Sequence, residues 1–167
     1  MTGKEPKVEP ATEAAKVPAK DTFRILILDE IKHVEQLKVA CKDAGYSVVP
    51  AYTIEEAMAF LDGQDSADVI ICGAYLKGES MFEFLRSLRS NPIHKDSMFM
   101  ILALEPRAIG VKIRMNASVE IAGRQLGADA FISMPKFDAV QLITEIKKLL
   151  PAVPMLEKQK GKEVNHD

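Results

Sequence analysis

The fold is indicated most clearly by the stretch Asp68-Val69-Ile70-Ile71-Cys72-Gly73, a short apolar run between an aspartate and a glycine. A strand of a parallel sheet that is covered on both faces has a continuous apolar sequence rather than an alternating one. Four similar runs occur in the chain, at residues 24–28, 47–49, 98–102 and 130–133. With residues 69–72, these runs predict five strands of one parallel sheet.

Amphipathic stretches separate the runs and predict five helices, so the chain reads as repeated strand and helix units. The apolar positions predicted for the first helix are Ile31, Val34, Leu37, Ala40, Cys41 and Ala44, with Gly45 as its stop. Right-handed connections between parallel strands place helices on both faces of the sheet. The predicted fold class is therefore α/β, a single doubly wound (βα)5, flavodoxin-like sheet.

The other four helices have their own sequence signals. Thr53 is predicted to cap the second helix, with Glu56 as its capping-box partner. The third covers about residues 81–90, and the fourth is predicted to begin at a cap, Asn116 or Ser118, and to end at Gly127. The apolar positions predicted for the fifth helix are Val140, Leu142, Ile143, Ile146, Leu149 and Leu150.

Composition predicts one domain at residues 23–150 with two disordered tails. The chain has 167 residues, 47 % hydrophobic content and a net charge of -2. Residues 1–22 and 151–167 are rich in Lys, Glu and Pro, which disfavours a packed core. No apolar run reaches the roughly 18 residues needed to span a bilayer, and no secretory signal is evident, so we expect a cytoplasmic protein without membrane insertion. Balanced charge argues against nucleic-acid binding.

Cysteines and histidines give no sign of a cofactor. Cys41 and Cys72 lie in apolar patterns, which indicates core packing rather than a disulfide or a zinc site. His33, His94 and His166 show no metal-ligand spacing. We therefore expect no resident cofactor.

Several local strings share one resemblance. Asp29-Glu30 follows the first strand, Gly78 precedes Phe82-Glu83-Phe84-Leu85-Arg86, Gly127-Ala128-Asp129-Ala130-Phe131 leads into the fifth strand, and Pro135 follows that strand. In order and spacing, residues 23–150 resemble the CheY-like receiver domain of two-component response regulators. The family often has a cis bond before a proline at the place of Pro135.

The resemblance implies a reactive site that this chain has lost. In the family, an aspartate that ends the third strand accepts a phosphoryl group, an acidic pair helps to hold Mg²⁺, and a hydroxyl and a lysine bind the phosphoryl oxygens. The matching positions here are Gly73 for the aspartate, Ala103 for the hydroxyl and Met134 for the lysine. Lys136, two residues further on, is an alternative cation for the crevice. The resemblance therefore implies a degenerate receiver.

Two further positions carry over from the family. Asp29 and Glu30 match the acidic pair, and they are either weak Mg²⁺ ligands or a structural remnant. Phe131 matches the aromatic residue that reorients on phosphorylation. Because Ala103 replaces the hydroxyl to which that residue couples, we expect Phe131 to be a fixed hydrophobic contact.

Three functions remain open, none of them an independent enzyme. The leading hypothesis is a non-phosphorylatable pseudo-receiver that acts by protein–protein interaction in or beside a two-component phosphorelay. It would bind a histidine kinase or another signalling protein, or a second copy of itself, through helix four, strand five and helix five. The alternative is a small-ligand sensor whose crevice is lined by Gly73, Ala103, Met134 and a long loop at 105–115. The third is an atypical receiver that still responds to a phosphoryl donor and Mg²⁺.

Overall fold

The structure is a computed structural model that describes residues 22–63, 65–104 and 111–151, without the side chains of 111–113. In these ranges, five strands alternate with five helices along the chain. They are β1 (Arg24–Leu28), α1 (Ile31–Asp43), β2 (Ser47–Ala51), α2 (Ile54–Leu61), β3 (Val69–Gly73), α3 (Met81–Ser90), β4 (Met98–Leu104), α4 (Val111–Gln125), β5 (Ala130–Met134) and α5 (Ala139–Leu149). Apart from Thr22 and Pro151, the predicted tails lie outside the described residues.

The strands form one parallel sheet in the order β2-β1-β3-β4-β5. This arrangement confirms the predicted α/β class and its doubly wound connections. Four strands run one or two residues further than predicted, because backbone pairing continues beyond the apolar runs. As a result, Gly73, Ala103 and Met134 lie within strands instead of after them.

Two apolar layers cover the two faces of the sheet. On one face, Ile25, Ile27 and Ile71 pack with residues of α1 and α5. On the other face, Leu26 and Leu28 pack with residues of α2 and α3. Burial of both faces explains why the strands are apolar throughout. Cys41 belongs to the first layer and Cys72 to the second, as core thiols.

Three apolar positions predicted to face the core are exposed instead. Ile31 and Val140 lie in the first turns of α1 and α5, and Ala44 follows the end of α1. The buried positions of α1 are Val34, Leu37, Ala40 and Cys41. In α5 they are Leu142 and Ile146.

The helix ends show where capping was predicted correctly. The Glu56 backbone N–H donates to Thr53 Oγ1 at 3.1 Å, which confirms Thr53 as the cap of α2. The Glu56 carboxylate accepts from the backbone N–H of Tyr52 at 2.7 Å instead of from Thr53, so the capping box is shifted by one residue.

The start of α4 was predicted wrongly. The helix begins at Val111, so Asn116 and Ser118 lie inside it and part of the predicted 105–115 loop is helical, while residues 105–110 lie outside the described ranges. The Asn116 side chain is used for contacts between elements, which is why it caps nothing. The helix stops just before Gly127, whose φ of 107° suits a glycine, as expected.

Two other features concern the connections and the lengths of the helices. The described backbone contains no cis peptide bond, so the bond before Pro135 is trans, unlike the bond often found in the family. No helix within the described ranges is long and apolar enough to cross a membrane.

Candidate functional site

The crevice lies at the carboxyl-terminal edge of the sheet, where β1, β3, β4 and β5 end side by side. Such an edge is the usual ligand site of a doubly wound sheet. Asp29 follows β1, Gly73 ends β3, Ala103 lies near the end of β4 and Met134 ends β5. All four residues are buried. The structure thus brings the predicted positions to one edge, where their side chains are buried.

Asp29 approaches the backbone of Gly73 very closely. A Cβ atom built on Gly73 would lie 2.5 Å from Asp29 Oδ1 and 2.8 Å from Oδ2. Carbon and oxygen atoms that are not bonded do not come this close without repulsion, so any side chain at position 73 would displace the Asp29 carboxylate. The glycine is therefore required by space, because its φ is not positive. The Asp29 carboxylate therefore lies in the space that an aspartate side chain at position 73 would need.

Asp29 is only 4 % exposed and is held by its own loop. Its Oδ1 accepts the backbone N–H of Glu30 at 2.8 Å. Burial raises the pKa of Asp29 above its usual value, although this hydrogen bond and the neighbouring His33 oppose the shift. The backbone hydrogen bond and His33 thus offset part of the cost of burying the Asp29 carboxylate.

His33 completes a group of three polar side chains that the sequence analysis did not assemble. Its Nδ1 lies 3.2 Å from Asp29 Oδ2 and 3.8 Å from Glu30 Oε2. The Nδ1 atom is buried and makes no aligned hydrogen bond. The i, i+4 spacing of Asp29 and His33 at the start of a helix was the signal that could have identified this contact.

The β4–β5 half of the crevice is apolar. Ala103 and Met134 place a methyl group and a thioether where the resemblance expects a hydroxyl and an ammonium group. Met134 packs in the layer shared with α1 and α5. Phe131 is partly buried against the opposite layer, next to Ile101 of β4 in the sheet register.

A chain of hydrogen bonds crosses this half of the crevice. The Tyr75 hydroxyl donates to Asn116 Oδ1, and Asn116 Nδ2 donates to Ser133 Oγ at 3.0 Å. Asn116 is only 6 % exposed. This Tyr75–Asn116–Ser133 link joins the loop after β3 to α4 and β5. Sequence reasoning missed it because the three residues are far apart in the chain.

Other polar groups near the crevice have structural partners. Glu79 accepts the backbone N–H of Ile54 at 3.0 Å, at the start of α2. Ser80 caps α3 by accepting the Glu83 N–H at 3.3 Å. Cys72 is fully buried, and burial raises the pKa of its thiol well above the usual value. None of these three side chains is placed to replace the missing aspartate.

A separate cleft of about 500 Å³ opens between the start of α1 and the segment after β5. Lys32, His33 and Lys136 lie on its polar sides, and Leu104, Pro135 and Phe137 form apolar walls. Neither lysine forms an ion pair with any residue that the structure describes. Lys136 therefore faces this cleft rather than the position of the lost aspartate.

The Mg²⁺ arrangement implied by the resemblance does not fit these residues. Mg²⁺ prefers six oxygen ligands in a regular octahedron, and the family supplies carboxylates from the acidic pair and from the aspartate of β3. With glycine at position 73, the third carboxylate is absent. The Asp29 carboxylate lies in the space that a side chain at position 73 would occupy. An imidazole nitrogen, a poor Mg²⁺ ligand, faces the remaining pair.

The architecture and the crevice together define a receiver-like fold of the CheY type. No family model matches the chain, and no curated protein matches it. Solved structures do match. The chemotaxis response regulator CheY4 of Vibrio cholerae is 22 % identical with a TM-score of 0.63, over 77 % of this chain and 99 % of that one.

Two further structures support the same fold. A putative response regulator from Chloroflexus aurantiacus J-10-fl is 26 % identical with a TM-score of 0.64, over 77 % of this chain and 97 % of that one. The signal receiver domain of a signal transduction histidine kinase from Syntrophus aciditrophicus is 23 % identical with a TM-score of 0.63, over 77 % of this chain and 90 % of that one. The chain therefore has the receiver fold, whereas Gly73, Ala103 and Met134 differ from the residues that the family uses for phosphorylation.

Proposed function

We propose that this protein is a pseudo-receiver, a signalling module of two-component pathways that does not accept a phosphoryl group. The observation that carries the proposal is the position of the Asp29 carboxylate, which fills the space above Gly73. Phosphoryl transfer to a receiver needs a carboxylate nucleophile at that position with a cation beside it. Gly73, Ala103 and Met134 provide neither the nucleophile nor the groups that would hold the product. The module is not an enzyme in this proposal.

The Tyr75–Asn116–Ser133 link supports a fixed signalling surface. In a switchable receiver, α4 and β5 change position when the site is phosphorylated. Here Asn116 of α4 is hydrogen-bonded to Ser133 of β5 and to the loop after β3. Phe131 packs against the core beside this link. These contacts favour one arrangement of the surface, so the module would signal by its presence or abundance.

The surface formed by α4, β5 and α5 is the proposed partner site. Ile121 of α4 is 61 % exposed, and Met115 and Val140 are also exposed apolar residues on α4 and α5. In this proposal, a partner protein covers these three side chains. The proposed partner is a cytoplasmic histidine kinase or another signalling protein, with a second copy of this chain as the competing occupant.

The loss of phosphorylation is tested directly by labelling. The folded chain is incubated with ³²P-labelled acetyl phosphate and Mg²⁺, beside a receiver that retains its aspartate. We expect no base-labile label on this chain. A base-labile acyl phosphate would instead support the third hypothesis, an atypical receiver. Amide NMR with Mg²⁺ and then beryllofluoride gives a second test, in which the peaks of Asp29, Gly73 and Phe131 should not shift after the beryllofluoride step.

The partner surface is tested with two matched charge substitutions. I121K places a lysine on α4, whereas I93K places one on a residue that is 83 % exposed between α3 and β4. Sedimentation measures self-association, and affinity capture measures binding to histidine kinases of the host. We expect I121K to abolish binding and I93K to leave it unchanged. Equal binding by both variants would contradict this surface.

A small-ligand sensor is the second candidate, and one observation favours it. The cleft beside α1 offers Lys32 and Lys136 without ion-pair partners among the described residues, next to an apolar wall. This lining suits a small anion with an apolar body, and it differs from the predicted lining by Gly73, Ala103 and Met134, which are buried. A thermal-shift screen with carboxylate and phosphate metabolites tests it, with K136Q as the variant that should lose any stabilisation and K147Q as the control.

A further inference from the structure

The cleft beside α1 has an apolar wall that the core holds in place. Leu104 and Phe137 line the cleft and also pack against the apolar layer of α1 and α5. Pro135, whose ring fixes its backbone, is the third apolar residue of the lining. The cleft volume of about 500 Å³ falls within the roughly 300–1,000 Å³ of sites for small organic molecules. The wall is therefore formed before any ligand binds.

Two lysines from distant parts of the chain line the same cleft. Helix α1 contributes Lys32, and the segment after β5 contributes Lys136. Neither lysine forms an ion pair with another residue in the described ranges. A cleft that combines one sign of charge with a wall of low dielectric constant concentrates ions of the opposite sign. The lining therefore attracts an anion.

Gln36 adds a neutral hydrogen-bond donor on the α1 side of the cleft. It lies one helical turn after Lys32, so the two side chains share a face of the helix, and both line the cleft. The side-chain amide of glutamine donates hydrogen bonds without carrying a charge. A carboxylate has two acceptor oxygens, and it therefore matches an ammonium group with an amide group beside it.

Nearby carboxylates limit the charge of the ligand. His33 lines the cleft, and its Nδ1 lies 3.2 Å from Asp29 Oδ2 and 3.8 Å from Glu30 Oε2. The two acidic side chains are thus one imidazole ring away from the cleft, and they offset part of the positive charge of the lysines. A phosphate monoester carries about −1.5 to −2 charges at pH 7, so these carboxylates would repel it more strongly than a monoanion. The surroundings therefore favour a single negative charge.

We infer that the cleft beside α1 binds an organic monocarboxylate. The carboxylate group lies between Lys32 and Lys136, and its apolar body lies against the wall of Leu104, Pro135 and Phe137. This inference rests on the small-ligand sensor, the second candidate function, and it commits that candidate to one class of ligand. It is separate from the proposed partner surface, because none of the lining residues belongs to α4, β5 or α5.

Simple carboxylates test the charge and the wall separately. Amide NMR of the full chain measures the binding of acetate, butyrate and hexanoate, with hexanamide as the uncharged analogue of hexanoate. We expect hexanoate to bind at least about tenfold more tightly than acetate, since each buried methylene group adds to the affinity. Hexanamide should bind at least about threefold more weakly than hexanoate, as expected when an ion pair is lost. The shifted amide signals should belong to residues 32–36, 136 and 137.

Two outcomes of these titrations would overturn the inference. Equal binding of acetate and hexanoate would mean that the apolar wall contributes nothing. Equal binding of hexanamide and hexanoate would mean that the lysines do not recognise the carboxylate. Inorganic phosphate should bind more weakly than hexanoate, and tighter binding of phosphate would contradict the argument from the nearby carboxylates.

Matched lysine variants locate the site. K32Q and K136Q keep a long polar side chain and remove one charge each, at positions that are exposed. We expect each variant to bind hexanoate about threefold more weakly, and the double variant about tenfold more weakly, as for partly exposed ion pairs. K147Q removes an exposed charge from the last turn of α5, outside the cleft, and should bind as the wild type does. If K136Q binds as well as K147Q, the proposed site is wrong.

The I121K variant separates this inference from the proposed partner surface. It should lose partner binding and keep the wild-type affinity for hexanoate, so the two proposals can fail independently. The thermal-shift screen separates the ligand class from the sensor itself. Stabilisation by phosphate metabolites alone, lost in K136Q, would keep the sensor and overturn the carboxylate ligand. No stabilisation by any metabolite, together with no shift by hexanoate, would overturn both.

Discussion

The β1–β3 half of the crevice is polar, and the β4–β5 half is apolar, although both lie at the same edge of one sheet. In the first half, Asp29 keeps a buried carboxylate with Glu30 and His33 beside it. In the second, Ala103 and Met134 are packed into the core. The buried carboxylate lies in the first half only, whereas the buried polar group of the second half is the neutral amide of Asn116, so the two halves differ in charge.

The difference also concerns rigidity. The polar half is made by neighbouring residues of one segment, with Gly73 giving it room. The apolar half is joined by the Tyr75–Asn116–Ser133 link, which connects three distant parts of the chain. The first half thus depends on contacts within one segment, whereas the second half is joined to α4 and to the loop after β3 by contacts between distant residues.

Restoring an aspartate at position 73 gives the largest expected effect. The Cβ of the new side chain would lie too close to the Asp29 carboxylate, so the two groups would repel each other. The substitution would also bury a second carboxylate beside the first. We expect G73D to lose about 3–5 kcal/mol of unfolding free energy, the usual cost of a buried charge without a partner. Urea denaturation measures this loss. Phosphorylation should not return, because Ala103 and Met134 are unchanged.

The control for that substitution is G63A. A Cβ on Gly63 would lie 3.4 Å from the carbonyl oxygen of Phe60, an ordinary contact, so we expect a change within about 0.5 kcal/mol. The double variant D29A/G73A should recover much of the stability that G73A loses. If G73D is as stable as the wild type, the Asp29 carboxylate moves freely and the comparison of the two halves fails.

Removing the link from the apolar half gives the next largest effect. N116A removes the buried amide that joins the partly buried Tyr75 hydroxyl and Ser133 Oγ. We expect a loss of about 1–3 kcal/mol, as for other buried polar groups left unsatisfied. Hydrogen exchange should also quicken in α4 and β5 more than in α1. N91A is the control, since the Asn91 side chain accepts the Ile93 N–H in an exposed turn and the substitution keeps the backbone carbonyl. An equal loss there would remove any special role of the link.

The fold could be predicted from the sequence because its signals are local. Continuous apolar runs such as residues 69–72 identify buried strands, and alternation with helices then leaves few topologies. The errors occurred at the ends of elements. Ile31 and Val140 fit the apolar period but lie in the first turns of their helices and are exposed. Asn116 looked like a cap because its distant partners were not visible in the sequence.

The site was only partly predictable for the same reason. Gly73, Ala103 and Met134 could be assigned by position, and the structure places them at one edge. The approach of Asp29 to Gly73 depends on how two strands and a loop pack, which no local pattern encodes. His33 was within reach, because its spacing from Asp29 is that of neighbours on a helix. A search limited to separate histidine motifs overlooked this contact.

The smallest expected effect comes from removing the charge of the polar half. D29N keeps an oxygen to accept the Glu30 N–H and removes a buried carboxylate, so we expect a higher melting temperature at pH 7 without added metal.

Burial raises the pKa of Asp29 above its ordinary value of 3.8, so the folded state holds the proton to a higher pH than the unfolded state does. At a pH above the raised pKa, the wild type carries the full free-energy cost of burying the Asp29 charge. It loses that cost as Asp29 is protonated, when the pH falls toward 3.8. The advantage of D29N should shrink over the same range, and the H33Q background removes the contact of Asp29 with His33. A D29N advantage that is independent of pH would instead mean that the substitution acts through packing, and the polar half would then not be defined by its charge.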